Sequence, residues 1–417
     1  MPSASPSHGS ERPSVLLTDG NARGVLAAAR TLASAGFRVG AAAEVRSAAT
    51  HWSLAPHGRH LVPDPRADPE GFVEALARIA SASAYSALIP GSDAALRAVS
   101  EFRARLPPWL RLGLPRASVV TAALDKRCLT DLAREMDVPQ PRSETCETVG
   151  DALAAADLMG YPVVLKPHST IFLEGHILHQ RSSRVAGDRS RLVRMAPEYG
   201  SPFLVQEFIP GATYSLAGVI ADGALPAVAL ARYDRTWPPA AGNAAFATTV
   251  RPPADLLATA QRLLERLEWR GLFELEYIAR SDGSFVPIDL NPRPYGSLAL
   301  ASVAGAPLAV IWTRVLFGER PAPVVARAGH RYRWEDADLR NLVWTMRSGD
   351  FAAALRAARP RRRTVHAYFR WSDPGPLAAR ALELSSGAIR RLARRRSSPP
   401  HPSRRPSPSE PHRRVPA

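Results

Sequence analysis

Nothing in the chain restricts its fold as strongly as residues 271–297, GLFELEYIARSDGSFVPIDLNPRPYGS. Two apolar runs, 272–279 and 285–290, flank the turn cluster Ser281, Asp282, Gly283 and Ser284, so the stretch reads strand, turn, strand. Acids stand inside those apolar runs, at Glu274, Glu276 and Asp289. Alternate residues of a strand share a face, which pairs Glu274 with Glu276 and Asp289 with Asn291. A hairpin would gather Glu276, Asp289 and Asn291 as hard oxygen ligands, the kind that suits Mg²⁺ when substrate phosphates complete its shell. Arg293 follows between two prolines, a fixed positive charge on a stiffened segment. The same residues also fit an ordinary hairpin with a solvated polar face, and spacing alone does not separate the two.

Lysine usage sharpens the reading. Of 54 basic residues only Lys126 and Lys166 are lysines; the rest are arginines. A chain that writes its charge with arginine uses lysine where a compact ammonium is required, because the planar guanidinium does not replace it. Lys126 opens a helix that runs to about Met136. Lys166 ends the apolar strand of GYPVVLKP, 160–167, where a buried ammonium needs an anionic partner.

Taken in order, residues 14–44 alternate strand, helix, strand, and residues 84–91 supply a further strand before Asp93 at a helix start. The first turn holds Gly20 and Gly24 without GxGxxG, so no dinucleotide site is expected. This is a small doubly wound domain, with its crevice near Asp19, Gly20, Asn21, Gly91, Ser92 and Asp93. Residues 203–211, FLVQEFIPG, form another strand, and residues 231–250 read as a Pro/Gly-rich loop. A helix is expected over 299–317, a linker over 320–328 and a mostly helical segment over 331–384. After residue 387 there are nine arginines and one acid, half of the net +16, which reads as a solvated tail with no specific nucleic-acid site.

VPIDLNPRPYGS resembles the metal-binding segment of ATP-grasp enzymes, and GYPVVLKP and FLVQEFIPG resemble two further strings of that superfamily. The resemblance is to predicted ATP-dependent carboxylate–amine ligases with a carbamoyl-phosphate-synthase-like ATP-binding domain. It implies an α/β fold: a Rossmann-like pre-ATP-grasp domain at 14–115, a two-lobed ATP-grasp domain at 116–320, a helical extension at 321–387, and disordered ends at 1–13 and 388–417. It also implies roles. Lys126 and Lys166 would hold ATP phosphates. Glu207, Phe208 and Ile209 would read adenine. Glu276, Asp289 and Asn291 would bind Mg²⁺ (or Mn²⁺), and Arg293 would stabilise the transferring acylphosphate. Asp289 stands where the family more often has Glu. The lid over the phosphates, 167–183, holds one glycine, Gly175, where the family has several, so His168, Ser169, Thr170 and His176 are the alternative donors.

The activity so implied is ligation: ATP activates a small-molecule carboxylate, an amine attacks, and ADP and phosphate leave. The alternative is a nucleotide-binding module of the same fold without ligase activity. No GxSxG or Cys/His pattern offers a nucleophile, and Cys128 and Cys146 show neither metal spacing nor a disulfide framework. The N-terminal residues lack an apolar core of the secretory type, and no run is long enough to span a bilayer, so a cytoplasmic enzyme is expected. A homodimer is one assembly the resemblance leaves open.

Overall fold

The computed structural model describes residues 13–169, 171–174, 177–239, 242–359 and 361–397 of the 417-residue chain. Its first sheet is parallel throughout. Ser14–Leu17 lies at the centre, with Arg38–Ala43 and then Gly58–Leu61 on one side and Ala87–Ile89 and Arg111–Leu112 on the other. The helices Arg23–Ser34, Pro69–Ala82 and Asp93–Glu101 connect these strands. Ser14–Leu17 is buried along its whole length, which is why it reads as a continuous apolar run rather than an alternating one. The first helix can enter close to the rest of the protein because Gly24 lacks a side chain. A Cβ there would stand 2.4 Å from the Tyr295 carbonyl oxygen.

The second sheet is antiparallel and small, in the order Arg184–Ala186, Val163–Pro167, Phe203–Glu207, Ser143–Cys146. Val149–Met159 and Arg189–Met195 pack on it. The former starts at a reciprocal cap in which Thr148 and Asp151 satisfy each other's backbone amides. This lobe has a core of its own, including Val163, Leu165, Leu192, Phe203 and Val205.

The third sheet runs from the edge Phe285–Asn291 through Gly271–Ala279, Ala212–Ala221, Ala224–Trp237 and Asn243–Val250 to Arg331–Arg333 and Thr364–His366. Its core is continuous with that of the parallel sheet. Leu16, Phe72 and Leu76 cluster with Leu216, Phe273 and Leu275, and Val15 and Leu17 cluster with Val219 and Trp312. Between the strands Val163–Pro167 and Arg184–Ala186 the chain forms a separate hairpin, Ile171–Glu174 and Ile177–Gln180. Its buried Ile171 and Leu178 join the shared core rather than that of the small lobe, and Leu178 N donates to the Arg66 carbonyl at 2.7 Å.

Four expectations change. Residues 231–250 are not a loop: the strands Ala224–Trp237 and Asn243–Val250 run through them, and the breakers Pro238, Pro239 and Gly242 are confined to the connection. The helix over 299–317 is two, Leu298–Val303 and Leu308–Leu316, separated at Gly305 (φ +97°) and Pro307. The linker and extension after 320 also contribute strands. Val324–Val325 pairs with Ala224–Trp237, and Arg331–Arg333 pairs with Asn243–Val250. Strands of two or three residues are too short to show a period of two. The helix Gly375–Ser397 continues past residue 387, where the tail was expected to begin, and residues 398–417 lie outside the described ones. The extension is fastened to the first domain. Asp373 accepts from Ser53 Oγ at 2.5 Å and from Leu54 N at 2.9 Å, and pairs with Arg30 at 2.8 Å.

Candidate functional site

The hairpin Gly271–Ala279 and Phe285–Asn291 pairs Glu276 with Asp289 and Glu274 with Asn291, and a bulge follows Glu276. Directly opposed residues on antiparallel strands point to one face. Four polar side chains therefore share one face of this sheet edge. Glu274 is 5 % exposed. It accepts from Ser215 Oγ at 2.7 Å and from Asn291 Nδ2 at 3.1 Å. The Tyr233 hydroxyl lies 2.8 Å from Glu276 Oε1 and 3.3 Å from Glu274 Oε1, bridging the two.

Both lysines reach this edge. Asp125 caps the helix Lys126–Glu135, accepting from Arg127 N at 2.8 Å, and so places Lys126 on the first turn. Lys126 Nζ donates to Asp289 Oδ1. Lys126 N also donates to the His168 carbonyl at 3.0 Å, which joins the helix start to the end of the strand bearing Lys166. Lys166 is 7 % exposed, and its Nζ donates to the Ile288 carbonyl at 2.7 Å.

Arg293 leaves the hairpin toward the parallel sheet. Its Nε meets Asp93 Oδ1 at 2.7 Å, and its Nη2 meets Asn291 Oδ1 at 3.1 Å. Asp93 opens the helix Asp93–Glu101, capped by Ser92, at the carboxyl end of the parallel strands. Asp19 stands beside it, bonded to Thr18 Oγ1 and to Gly91 N. The crevice expected near Asp19 and Asp93 thus opens onto Arg293.

Protonation follows from this crowding. Burial, then the neighbouring Glu274 and Asp289 charges, push Glu276 up to about 8, against the Tyr233 hydrogen bond and Lys126. Burial also raises Glu274, opposed by the Ser215 bond and by Arg293. Burial lowers Lys166 to about 8, against the attraction of Asp289. For Asp93 burial acts upward, but Arg293 outweighs it and holds the carboxyl below its usual range. The site has both ammonium and carboxylate groups that are short of counter-charge. That fits a polyphosphate for the lysines and a divalent cation for the acids. Among the described residues no group of three His, Cys, Asp or Glu side chains is disposed to hold a metal alone. A cation here would draw on Glu276, Asp289, the Asn291 amide and ligand oxygens.

The adenine set is placed differently. Glu207 ends its strand opposite Val163, whereas Lys166 lies opposite Leu204. Val163 belongs to the helix-covered core of the small lobe, so strand parity gives Glu207 that face and Lys166 the other. The Glu207 carboxylate is held by Arg142, through Nε and the backbone N, both at 3.1 Å. Phe208 is half-buried and Ile209 buried immediately after. Of the lid donors, Ser169 Oγ is spent on the Ile171 carbonyl at 2.7 Å, and His168 Nδ1 lies 3.9 Å from Asp125. Thr170, Gly175 and His176 lie outside the described residues. Arg235 is taken up by Asp338 at 2.6 Å and by the Phe246 ring.

Sequence reasoning missed Tyr233, which was read as loop, and the Asp93–Arg293 pair. A register shift between Tyr233 and Arg235 interrupts the alternation there and puts the two on opposite faces, so no period of two in 231–237 aims the tyrosine at the acids.

Residues 125–321 match the family described as carbamoyl-phosphate synthase L chain, ATP binding domain. The carbamoyl phosphate synthase large chain of Acidobacterium capsulatum is 27 % identical over 253 residues, which cover 55 % of this chain and 22 % of that one. The chain thus spans about a fifth of the length of the curated relatives it matches. Two solved structures share its fold. The biotin carboxylase domain of Hydrogenobacter thermophilus 2-oxoglutarate carboxylase, in complex with MgADP and bicarbonate, has TM-score 0.58 and 16 % identity, covering 76 % of this chain and 73 % of that one. The ADP complex of an N5-carboxyaminoimidazole ribonucleotide synthetase has TM-score 0.59 and 13 % identity, covering 76 % and 81 %.

Proposed function

We propose that this chain, whose residues 125–321 match the carbamoyl-phosphate synthase ATP-binding domain and whose fold is that of biotin carboxylase, is an ATP-grasp protein and an ATP-dependent ligase. It activates a small-molecule carboxylate as an acylphosphate for attack by an amine, and releases ADP and phosphate. The observation that carries the reading is the meeting of Lys126, Lys166, Glu276, Asp289 and Arg293 at one sheet edge. Phosphoryl transfer asks a protein for positioned charge rather than a side-chain nucleophile, and this edge supplies charge of both signs.

Lys166 and Lys126 bind the nucleotide phosphates. Lys126 can exchange its bond to Asp289 for a phosphate oxygen. Glu276, Asp289 and Asn291 would hold Mg²⁺, or Mn²⁺ in its place, and Tyr233 and Glu274 fix the orientation of Glu276 and Asn291. When bound, the cation neutralises charge on the transferring phosphoryl group. Phe208 and Ile209 line the adenine edge, whereas Glu207, held by Arg142 on the face away from Lys166, takes no part in reading the amino group. Arg293, aligned by Asp93, meets the acylphosphate at the crevice of the pre-ATP-grasp domain, where the carboxylate and amine enter.

The experiment is ADP release by the full chain with Mg-ATP across libraries of carboxylates and amines. Release that needs one acid and one amine together, with formation of their amide, is the expected result. Mg-ATP binding with no acceptor-dependent release across a broad library would favour the nucleotide-binding module instead.

A further inference from the structure

The helices Glu335–Arg347 and Phe351–Ala358 form a hairpin that turns at Gly349 (φ +88°). One side of the first helix is fastened to the large sheet. Asp338 pairs with Arg235 at 2.6 Å and with Arg333 at 3.0 Å, and Asn341 Nδ2 donates to the Thr236 carbonyl at 2.9 Å. That anchoring sets the rotation of the helix, so residues 339, 343 and 346 share the outward face. They are Leu339, Val343 and Met346, exposed by 62, 40 and 44 %. Trp344 beside them is 50 % exposed, and Phe351 and Leu355 of the second helix are 65 and 66 % exposed. Six large apolar side chains exposed on this one helical hairpin mark it as an interaction surface.

The patch is embedded in positive charge. Between residues 339 and 363 there are seven arginines and one acid, Asp350. All seven arginines are exposed. Among the described residues only Arg340 of these has a carboxylate partner, Asp336 at 3.4 Å. Asp350 is spent on the cap of the second helix, accepting from Ala353 N at 2.8 Å.

We propose that this hairpin docks on the surface of an anionic phospholipid bilayer. Aliphatic and aromatic side chains enter the boundary between headgroups and acyl chains while the arginines meet lipid phosphates. Trp344 is the residue type that favours that boundary. Charge argues against the other occupants. A second copy seated by a two-fold contact would set seven arginines against seven. Residues 1–12 and 398–417 are rich in Pro, Ser and Arg and offer only Met1 and Val415 as large apolar groups. A nucleic acid would satisfy the arginines but gives Leu339, Val343, Met346 and Leu355 no apolar phase to enter.

The test is co-sedimentation of the full chain with vesicles of phosphatidylcholine alone and of phosphatidylcholine with about 30 mol % phosphatidylglycerol. At least about tenfold more protein should bind the anionic vesicles, and binding should fall at high salt. The double variant Leu339→Asp/Phe351→Asp should lose that binding while keeping the wild-type circular dichroism and melting temperature. The triple variant Arg361→Glu/Arg362→Glu/Arg363→Glu should lose it through charge alone. Equal binding to both vesicle types overturns the proposal. So does wild-type binding by the Leu339→Asp/Phe351→Asp variant, which would assign the effect to the arginines after residue 387. A concentration-dependent dimer that this variant dissolves would overturn it in favour of a second copy. RNA binding lost in the same variant would overturn it in favour of nucleic acid.

Discussion

Arg293 and Asp93 lie 200 residues apart in sequence and 2.7 Å apart in space, Nε to Oδ1. Asp93 is 4 % exposed, so this ion pair joins the parallel sheet to the acidic hairpin out of water. Breaking a buried pair on one side leaves the other charge uncompensated, at a cost of about 3 kcal/mol. Asp93→Asn should lower the urea midpoint accordingly, and adding Arg293→Met should restore part of the loss. A midpoint unchanged in Asp93→Asn would show that solvent already serves the arginine.

Lys166 gives a proton-linked binding signature. Its folded pKa of about 8 lies below the ordinary lysine value of 10.5, and burial is the main cause. Between those values the unfolded chain holds more protons, so this group makes the apoprotein more stable as pH rises from about 8 to about 10.5. Phosphates favour the ammonium, so nucleotide binding above pH 8 should take up a proton. Calorimetry of ADP binding in EDTA, in two buffers of different ionisation enthalpy, measures that uptake. Lys166→Met should abolish it, and Lys166→Arg should weaken binding although it keeps the charge.

Glu276 carries the opposite sign. Its folded pKa of about 8 lies above its ordinary 4.5, so between those values the folded protein holds the extra proton and apoprotein stability falls as pH rises. A divalent cation competes with that proton, so Mn²⁺ affinity should strengthen as pH rises toward 8. Tyr233→Phe removes a hydrogen bond that favours the charged form. It should move the midpoint upward and weaken Mn²⁺ binding at neutral pH. Titration by the Mn²⁺ electron paramagnetic resonance signal checks both, and an unmoved midpoint in Tyr233→Phe would refute the bridging role.

Asp289→Asn tests the cation site by turnover. The substitution keeps the shape, removes the charge of a proposed metal ligand and loosens Lys126. Once an acceptor pair is known, kcat should fall by at least about a hundredfold while ADP affinity without metal changes little. Full turnover at saturating Mg²⁺ would place the metal elsewhere.

The hairpin, its turn and the two lysines were legible because each depends on local pattern: apolar runs, a turn cluster and a compositional exception. Tyr233 was not, because the prolines directly after Trp237 and an irregular register made a strand look like loop. The Asp93–Arg293 pair was hidden for another reason. Both residues were singled out, but only the packing of two sheets into one core makes them neighbours, and no local spacing encodes that. Glu207 marks the limit of carrying a motif across: the string matches, yet strand parity and Arg142 turn its carboxylate away from Lys166.

The hairpin bearing Ile171 and Leu178 turns the small lobe into a door bolted to the wrong side of its own frame. Lys166 rides on that door, and Lys126 and Asp289 stand on the jamb. The door cannot swing while two of its side chains are set in the masonry, and withdrawing each exposes apolar surface at a cost of about 2 kcal/mol. Any swing of the small lobe that carried this hairpin along would also have to break the hydrogen bond from Leu178 to Arg66. The first domain therefore touches the site twice: directly through Asp93 on Arg293, and at a distance by holding the hairpin of the lobe that carries Lys166.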